Sequence, residues 1–196
     1  MLELFLDTET TGFIHPKKPL DHTDQPHLVQ LAMILREGGK EVAQASLVVR
    51  CPIEVPEKAR AVHGYDQART QAIGVSPATA CALARDMMAA ATVVIAHNAE
   101  FDCRIMAITM TRAAKAMPAA PWFCTMVAAE PHCRIPATPA QIRAGFKKPG
   151  DFKQPKLEEA LDILVGEKLE NAHDALADVR GCMKVYDWLR AKEMAA

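Results

Sequence analysis

The sequence predicts an α/β protein built on a five-stranded mixed sheet, with a three-strand antiparallel meander, further strands parallel to the first, and helices on the flanks. Three observations lead there. The first strand-like run, Leu2 to Asp7, is almost wholly apolar, as suits a strand buried on both faces, and further strand-like runs follow it. Two of these runs are joined by a glycine-bearing connection short enough for a hairpin. Later runs alternate with segments of helical period. Half of the 196 residues are apolar, and the 13 Pro and 9 Gly follow no repeat, which excludes collagen-like and strongly disordered chains. A single domain over residues 1–196 is expected, because a chain of this length buries roughly 70% of its unfolded surface without a disulfide or structural metal.

The first strand is Leu2 to Asp7, an apolar run halted by a Thr/Gly turn signal. His27 to Leu35 and Glu41 to Val49 are the second and third, joined across Arg36-Glu37-Gly38-Gly39-Lys40, where the glycines permit a tight reversal. Ser76 is an N-cap with Pro77 at the first helical position, and Ala, Leu and Met carry that helix to about Ala91. Thr92 to Ala96 reads as a fourth, central strand, followed by a helix from about Ala99 to Ala114. A short strand near Trp122 to Cys124 precedes a stretch interrupted by Pro131, Pro136 and Pro139. Lys156 to Val165 reads as a short amphipathic helix closed by Gly166. Leu176, Val179, Met183, Tyr186 and Leu189 keep a helical period, so the chain closes with a long helix over Asp174 to Lys192.

Two segments are too polar or too rich in Pro and Gly for core. Ile14 to Pro26 is far longer than a hairpin needs and is expected to border a functional cleft. Gln141 to Lys156 sets Arg143, Lys147, Lys148, Lys153 and Lys156 against Asp151 alone, with Phe146 and Phe152 interleaved; it is either a solvated basic loop or a strand-guiding surface. The balance of 23 basic and 24 acidic side chains excludes a histone-like polycation. No apolar run is long enough to span a bilayer, and the N-terminus lacks a basic, apolar leader, so no membrane partner is expected. The six cysteines are scattered singles without zinc-ribbon spacing, which suits a reducing cytoplasm better than a disulfide scaffold or a zinc protein.

Three polar clusters interrupt this apolar framework. Asp7-Thr8-Glu9 ends the first strand, and alternation along extended backbone puts both carboxylates on one side before Thr10-Thr11-Gly12 turns the chain away. His97-Asn98-Ala99-Glu100-Phe101-Asp102 begins where the fourth strand ends and enters the next helix. His173 and Asp178 flank the start of the last helix. If the fourth strand lies parallel beside the first, with the meander on its other side, strand order reverses between them and both acidic clusters open on one crevice. Carboxylates gathered there repel each other unless protons are shared or a cation sits between them.

In this order and spacing the clusters resemble the three motifs of the DEDDh family of 3′–5′ exonucleases, the group that includes the proofreading subunit of bacterial replicative DNA polymerase. Val62-His63-Gly64 is similar to the family's short loop that touches the terminal nucleotide, and Pro155-Lys156-Leu157 to the entry of the helix before the third motif. The resemblance implies a ribonuclease H-like fold and a catalytic set of Asp7, Glu9, Asp102, His173 and Asp178. It implies that Asp7, Glu9, Asp102 and Asp178 bind two divalent ions, Mg²⁺ or Mn²⁺, which suit hard oxygen donors. By similarity Asp7 bridges both ions, Glu9 and Asp178 hold one, Asp102 supports the other, and His173 takes the proton of the attacking water, so activity should fall on acidification. Thr10, Thr11, Gly12, His63, Asn98 and Phe101 are the expected substrate contacts.

The leading expectation is therefore metal-dependent release of nucleoside monophosphates from DNA 3′ ends, single-stranded or frayed, in proofreading, repair or trimming. Aromatics are only 5% of residues, which favours engagement of a few nucleotides over a long stacking platform. The same chemistry on RNA is the nearest rival, and a non-catalytic nucleic-acid or polymerase-binding module is the rival from another class. A DNA polymerase is a candidate partner; the short stretch after the closing helix leans towards a free-standing enzyme.

Overall fold

A computed structural model of the chain describes residues 1–194. Its centre is a five-stranded sheet of β1 (Leu2–Thr10), β2 (Leu28–Glu37), β3 (Lys40–Val48), β4 (Val93–Ala96) and β5 (Trp122–Cys124) in the order β3-β2-β1-β4-β5. The first three strands form the antiparallel meander, and β1, β4 and β5 run parallel. Parallel neighbours need crossovers, and the helices α1 (Glu57–His63), α2 (Gln67–Ile73), α3 (Pro77–Ala90) and α4 (Ala99–Arg112) lie within them. After β5 come α5 (Thr125–Cys133), α6 (Pro139–Arg143), α7 (Leu157–Ala160), a π turn over Leu161–Val165, and α8 (Ala175–Met194).

Alternation along β1 builds two cores. Leu4 and Leu6 face one side, where they pack with Leu31 and Met33 of β2 against Ala84 and Met88 of α3 and Ile105 and Met106 of α4. Phe5 faces the other, with Ala32, Ile34 and Ile95 against Val179, Cys182, Met183 and Tyr186 of α8. The Arg36 guanidinium lies beneath this second core, 4.8 Å from the Phe5 ring centroid and paired with Glu3 (2.9 Å) and Asp187 (2.7 Å), so the buried charge is matched.

The structure departs from the sequence reading at several points, the hairpin among them: β2 runs on to Glu37 and β3 starts at Lys40, so only Gly38-Gly39 make the turn, and β3 is a largely exposed edge strand. β1 continues three residues past Asp7, to Thr10, with a register shift between Glu9 and Thr10. Two short helices fill the span between β3 and α3, and Val62-His63-Gly64 is the end of a helix rather than a loop: Gly64, at φ 79°, caps α1 by donating to the Arg60 carbonyl. Short helices α5 and α6 form among the prolines, with Pro139 at the start of α6. The single amphipathic helix expected over Lys156 to Val165 is α7 followed by the π turn, which Gly166 closes in the left-handed region.

Candidate active site

β1 carries two carboxylates to the end of the sheet where β4 also stops. Asp7 lies opposite Ala32 and Glu9 opposite Gln30 of β2, on the face that packs against α8. From β4 the chain turns into α4 through Asn98, which is left-handed at φ 74°, a conformation asparagine tolerates better than most residues. That turn puts Asp102 in the first helical turn, only 2% exposed. Its Oδ1 accepts from the Thr8 hydroxyl at 2.7 Å, so the β1 residue between the two acids also faces inward and fixes the third.

The fourth carboxylate comes from α8. Asp174 caps that helix, its Oδ1 accepting from the backbone N–H of Leu176 and Ala177 at 3.2 Å. The Gln30 side chain, 2% exposed on β2, donates to Asp174 Oδ2 at 3.1 Å and accepts from the Ala175 N–H at 3.2 Å. One amide thus ties the start of α8 to the strand beside Glu9. Asp178, one turn in, accepts from the His173 N–H at 3.2 Å through Oδ2, while its buried Oδ1 has no partner among the described residues.

His173 is exposed at φ 70°, and a ring nitrogen of His173 and carboxylate oxygens of Glu9 and Asp178 all lie within 4.8 Å of one another. Burial and mutual repulsion raise every acid of the group. Asp7 stands well above the ordinary range, first through burial and then through Asp102, Asp178 and Glu9. Glu9 is pushed to about 8 by burial and by Asp178 and Asp102. Asp102 is pushed to about 7 by burial, against the lowering effect of the Thr8 hydrogen bond, and Asp178 to about 6, chiefly by burial. Hard oxygen donors, mutual repulsion and an orphaned buried carboxylate oxygen together fit divalent cations held by oxygen ligands.

The other residues singled out in the sequence divide. His63 is buried, accepts from the Tyr65 N–H at 3.1 Å through Nδ1 and stacks on the Tyr65 ring at 5.8 Å, while its Nε2 has no partner among the described residues. Asn98 and Phe101 line a cleft of about 270 Å³ with Ile14, Pro16, Glu100 and Arg104, so the 14–26 loop does border the second motif. Thr10 and Thr11 are buried with their hydroxyls engaged in the turn: Thr10 Oγ1 donates to the Gly12 carbonyl and Thr11 Oγ1 accepts from the His27 N–H. Phe13, next along, is 90% exposed.

His97 has a structural post. Its Nδ1 pairs with the Thr125 hydroxyl at 2.9 Å and its Nε2 with the Pro155 carbonyl at 3.0 Å, and burial lowers it to about 4. Sequence reasoning missed Thr8 and Gln30. Thr8 had a visible signal, being flanked by two acids, whereas Gln30 acts through neighbours that only the fold supplies.

The loop rim is held firmly. Gln25 Nε2 donates to the carbonyls of His15, Lys18 and Pro19. At the last turn of α4, Arg112 donates to those of His22, Gln25 and Pro26, and Arg104, nearer its start, reaches the Pro16 carbonyl. A separate cavity of about 330 Å³ between His27, Val49, Pro77 and Arg112 contains none of the carboxylates.

Sequence comparison with curated proteins gives no match. Among solved structures, the chain is similar to E. coli exonuclease I in complex with a dT13 oligonucleotide, with TM-score 0.74 and 17% identity over 99% of this chain and 42% of that one. A zinc-bound E. coli exonuclease I–ssDNA complex gives TM-score 0.72 and 16% identity over 98% and 41%. A moderately thermophilic exonuclease I from Methylocaldum szegediense gives TM-score 0.70 and 18% identity over 98% and 41%. The chain therefore spans less than half the length of these relatives and shares their fold. The Exonuclease family model, of RNase T type, matches residues 4–186. Nearly the whole described chain lies within that match, and the chain belongs to this exonuclease family, the DEDDh group its three motifs resemble.

Proposed function

We propose that the protein is a metal-dependent 3′–5′ exonuclease that hydrolyses the terminal phosphodiester bond of single-stranded or frayed DNA and releases nucleoside 5′-monophosphates. The observation that carries this reading is the convergence of Asp7, Glu9, Asp102 and Asp178, whose charges are costly together without cations. These four would hold two Mg²⁺ or Mn²⁺ ions, which when bound acidify water and stabilise the attacking and leaving oxygens of an in-line displacement.

The remaining work falls to this chain's own groups. Thr8 holds Asp102 in place from the opposite face of β1, and Gln30 holds α8, hence Asp178. His173, exposed beside Glu9 and Asp178, takes the proton of the attacking water at a ring nitrogen. The Tyr65 N–H occupies His63 Nδ1, so the proton sits on Nε2, which lies near the Thr10 carbonyl without a full hydrogen bond to it and is suited to an oxygen of the terminal nucleotide. Phe101 and Ile14 offer the base an apolar surface.

The DNA strand held by the similar E. coli exonuclease I supports DNA as substrate. All six cysteines are free, four of them buried, which fits a reducing cytoplasmic setting. Among the described residues no helix is long and apolar enough to cross a membrane. A DNA polymerase is the partner this reading admits for a proofreading role.

The test is a 5′-labelled DNA strand, with the matching RNA alongside, incubated with Mg²⁺, Mn²⁺ or EDTA and with wild type or Asp7→Ala. A ladder shortening from the 3′ end that requires both metal and Asp7, faster on DNA, is expected. Faster shortening of RNA would reassign the substrate, and no shortening under either metal would overturn the catalytic reading.

A further inference from the structure

Between α5 and α7 the chain makes an excursion over residues 134–156 that adds little to either core. α6 buries none of its side chains. The excursion is nonetheless ordered by local bonds. Ala137 N–H donates to the Asp151 carbonyl and Lys153 N–H to the Ile135 carbonyl, a two-rung ladder at its neck. Thr138 and Gln141 form a reciprocal cap on α6, and Asp151 accepts from the Lys148 N–H at 2.7 Å across the turn. Backbone order without burial is what a presented surface requires.

What it presents is selective. Residues 134–156 carry six cations and one carboxylate, in a chain that balances 23 basic against 24 acidic side chains. Four of the six are engaged: Arg134 lies 5.1 Å over the Phe152 ring, and Lys147, Lys153 and Lys156 pair with Glu130, Glu159 and Glu158. Arg143 and Lys148 have no ion pair among the described residues, and both are exposed. Between them in sequence stands Phe146, 80% exposed. An uncovered aromatic face flanked by unneutralised cations matches an extended nucleic-acid strand, which offers a base face and phosphates at every step.

Its place in the fold connects it to the site. The excursion returns at Pro155, whose carbonyl is held by His97, next to Asn98 of the second motif. The same ring holds Thr125 at the start of α5, and α5 runs nine residues, roughly 13 Å at helical rise, before the excursion leaves it. Lys147 folds back on Glu130 of α5.

We infer that Phe146, Arg143 and Lys148 form a docking surface for the single strand upstream of the 3′ end, beyond the terminal nucleotides that the catalytic cleft takes. The inference rests on the exonuclease reading above. The surface reads no sequence: Phe146 stacks on a base, and the two cations meet backbone phosphates.

The experiment compares wild type with the triple variant Arg143→Gln, Phe146→Ser, Lys148→Gln. None of these side chains is in the catalytic set or the neck ladder. Substrates are a tetranucleotide and a twenty-nucleotide DNA strand, at low and moderate salt. On the long strand the variant should show KM raised about tenfold or more with kcat unchanged, and a shallower salt dependence, by roughly 0.7 in log–log slope for each phosphate left unneutralised. On the tetranucleotide the two proteins should be equal. An unchanged KM and salt slope on the long strand would overturn the proposal while leaving the exonuclease reading intact.

Anisotropy of a labelled long strand in EDTA reads the same surface without catalysis. If wild type cleaves nothing, so that the exonuclease reading fails, a tenfold weaker Kd for the variant still supports the surface and an equal Kd refutes it. Weakened binding of an acidic polypeptide with unaltered DNA binding would assign the surface to a protein partner and refute the proposal as well.

Discussion

Replacing Asp102 by asparagine should destroy activity and stabilise the metal-free fold. The Asp102 carboxyl titrates near 7 in the folded chain against 3.8 in the ordinary state, because it is buried beside other acids. The unfolded chain gives up that proton first, so ionisation favours unfolding. The folded state loses about 1.4 kcal/mol per pH unit between roughly pH 4 and 7, and no more above that. The penalty reaches a ceiling of ~4 kcal/mol at pH 8. Asparagine keeps the oxygen that accepts from the Thr8 hydroxyl and removes the charge. If half the ceiling is recovered, a chain of this size should melt roughly 4–8 °C higher. The assay is thermal unfolding in EDTA at pH 8, repeated at pH 5, where the advantage should shrink to a fraction. Mn²⁺ should then raise the melting temperature of wild type more than that of the variant. A variant that melts at or below wild type in EDTA at pH 8, or with the same difference at both pH values, would refute the electrostatic reasoning.

Gln30→Met keeps length and burial but removes both hydrogen bonds to the start of α8. The fold should persist by circular dichroism, while kcat falls about tenfold or more and half-saturation by Mn²⁺ moves upward. Normal Mn²⁺ dependence would show that Gln30 does not position Asp178. His97 is held neutral, titrating near 4 where the unfolded chain titrates near 6.5. The unfolded state therefore takes the proton first as pH falls, and the stability is lost between about pH 6.5 and 4, by ~2 kcal/mol at pH 5. In urea melts at pH 7 and pH 5, His97→Asn should lose that share of the acid sensitivity, whereas identical sensitivity in the two proteins would place the effect elsewhere.

What the sequence made legible was whatever local pattern decides. The meander followed from two apolar runs and a glycine pair, and β4 from five residues of unmistakable strand character. The acids of β1, α4 and α8 declared themselves because carboxylates at strand and helix ends stand out against apolar neighbours. The helices α1 and α2 escaped because each has only seven residues, too few for a helical period to emerge, and their limits are set by Pro56, Gly64 and Asp66. His97, which opens the second cluster, had no role visible in the sequence and is a strut, since its partners Thr125 and Pro155 lie 28 and 58 residues away. Gln30 was invisible for the same reason: a glutamine in a strand says nothing until a helix 144 residues later arrives to meet it.

The carbonyls gathered by Arg104 and Arg112 give α4 a second task. The helix that begins with the second motif's Asp102 ends as the anchor of the long loop, so loop and carboxylate are mounted on one rail. Gln25 closes the loop on itself below its outermost residues. Sequence at the outer part, around Asp21 to Asp24, can therefore change without disturbing the acids. A rim of that kind can vary at its crest while the rail keeps the carboxylates in register.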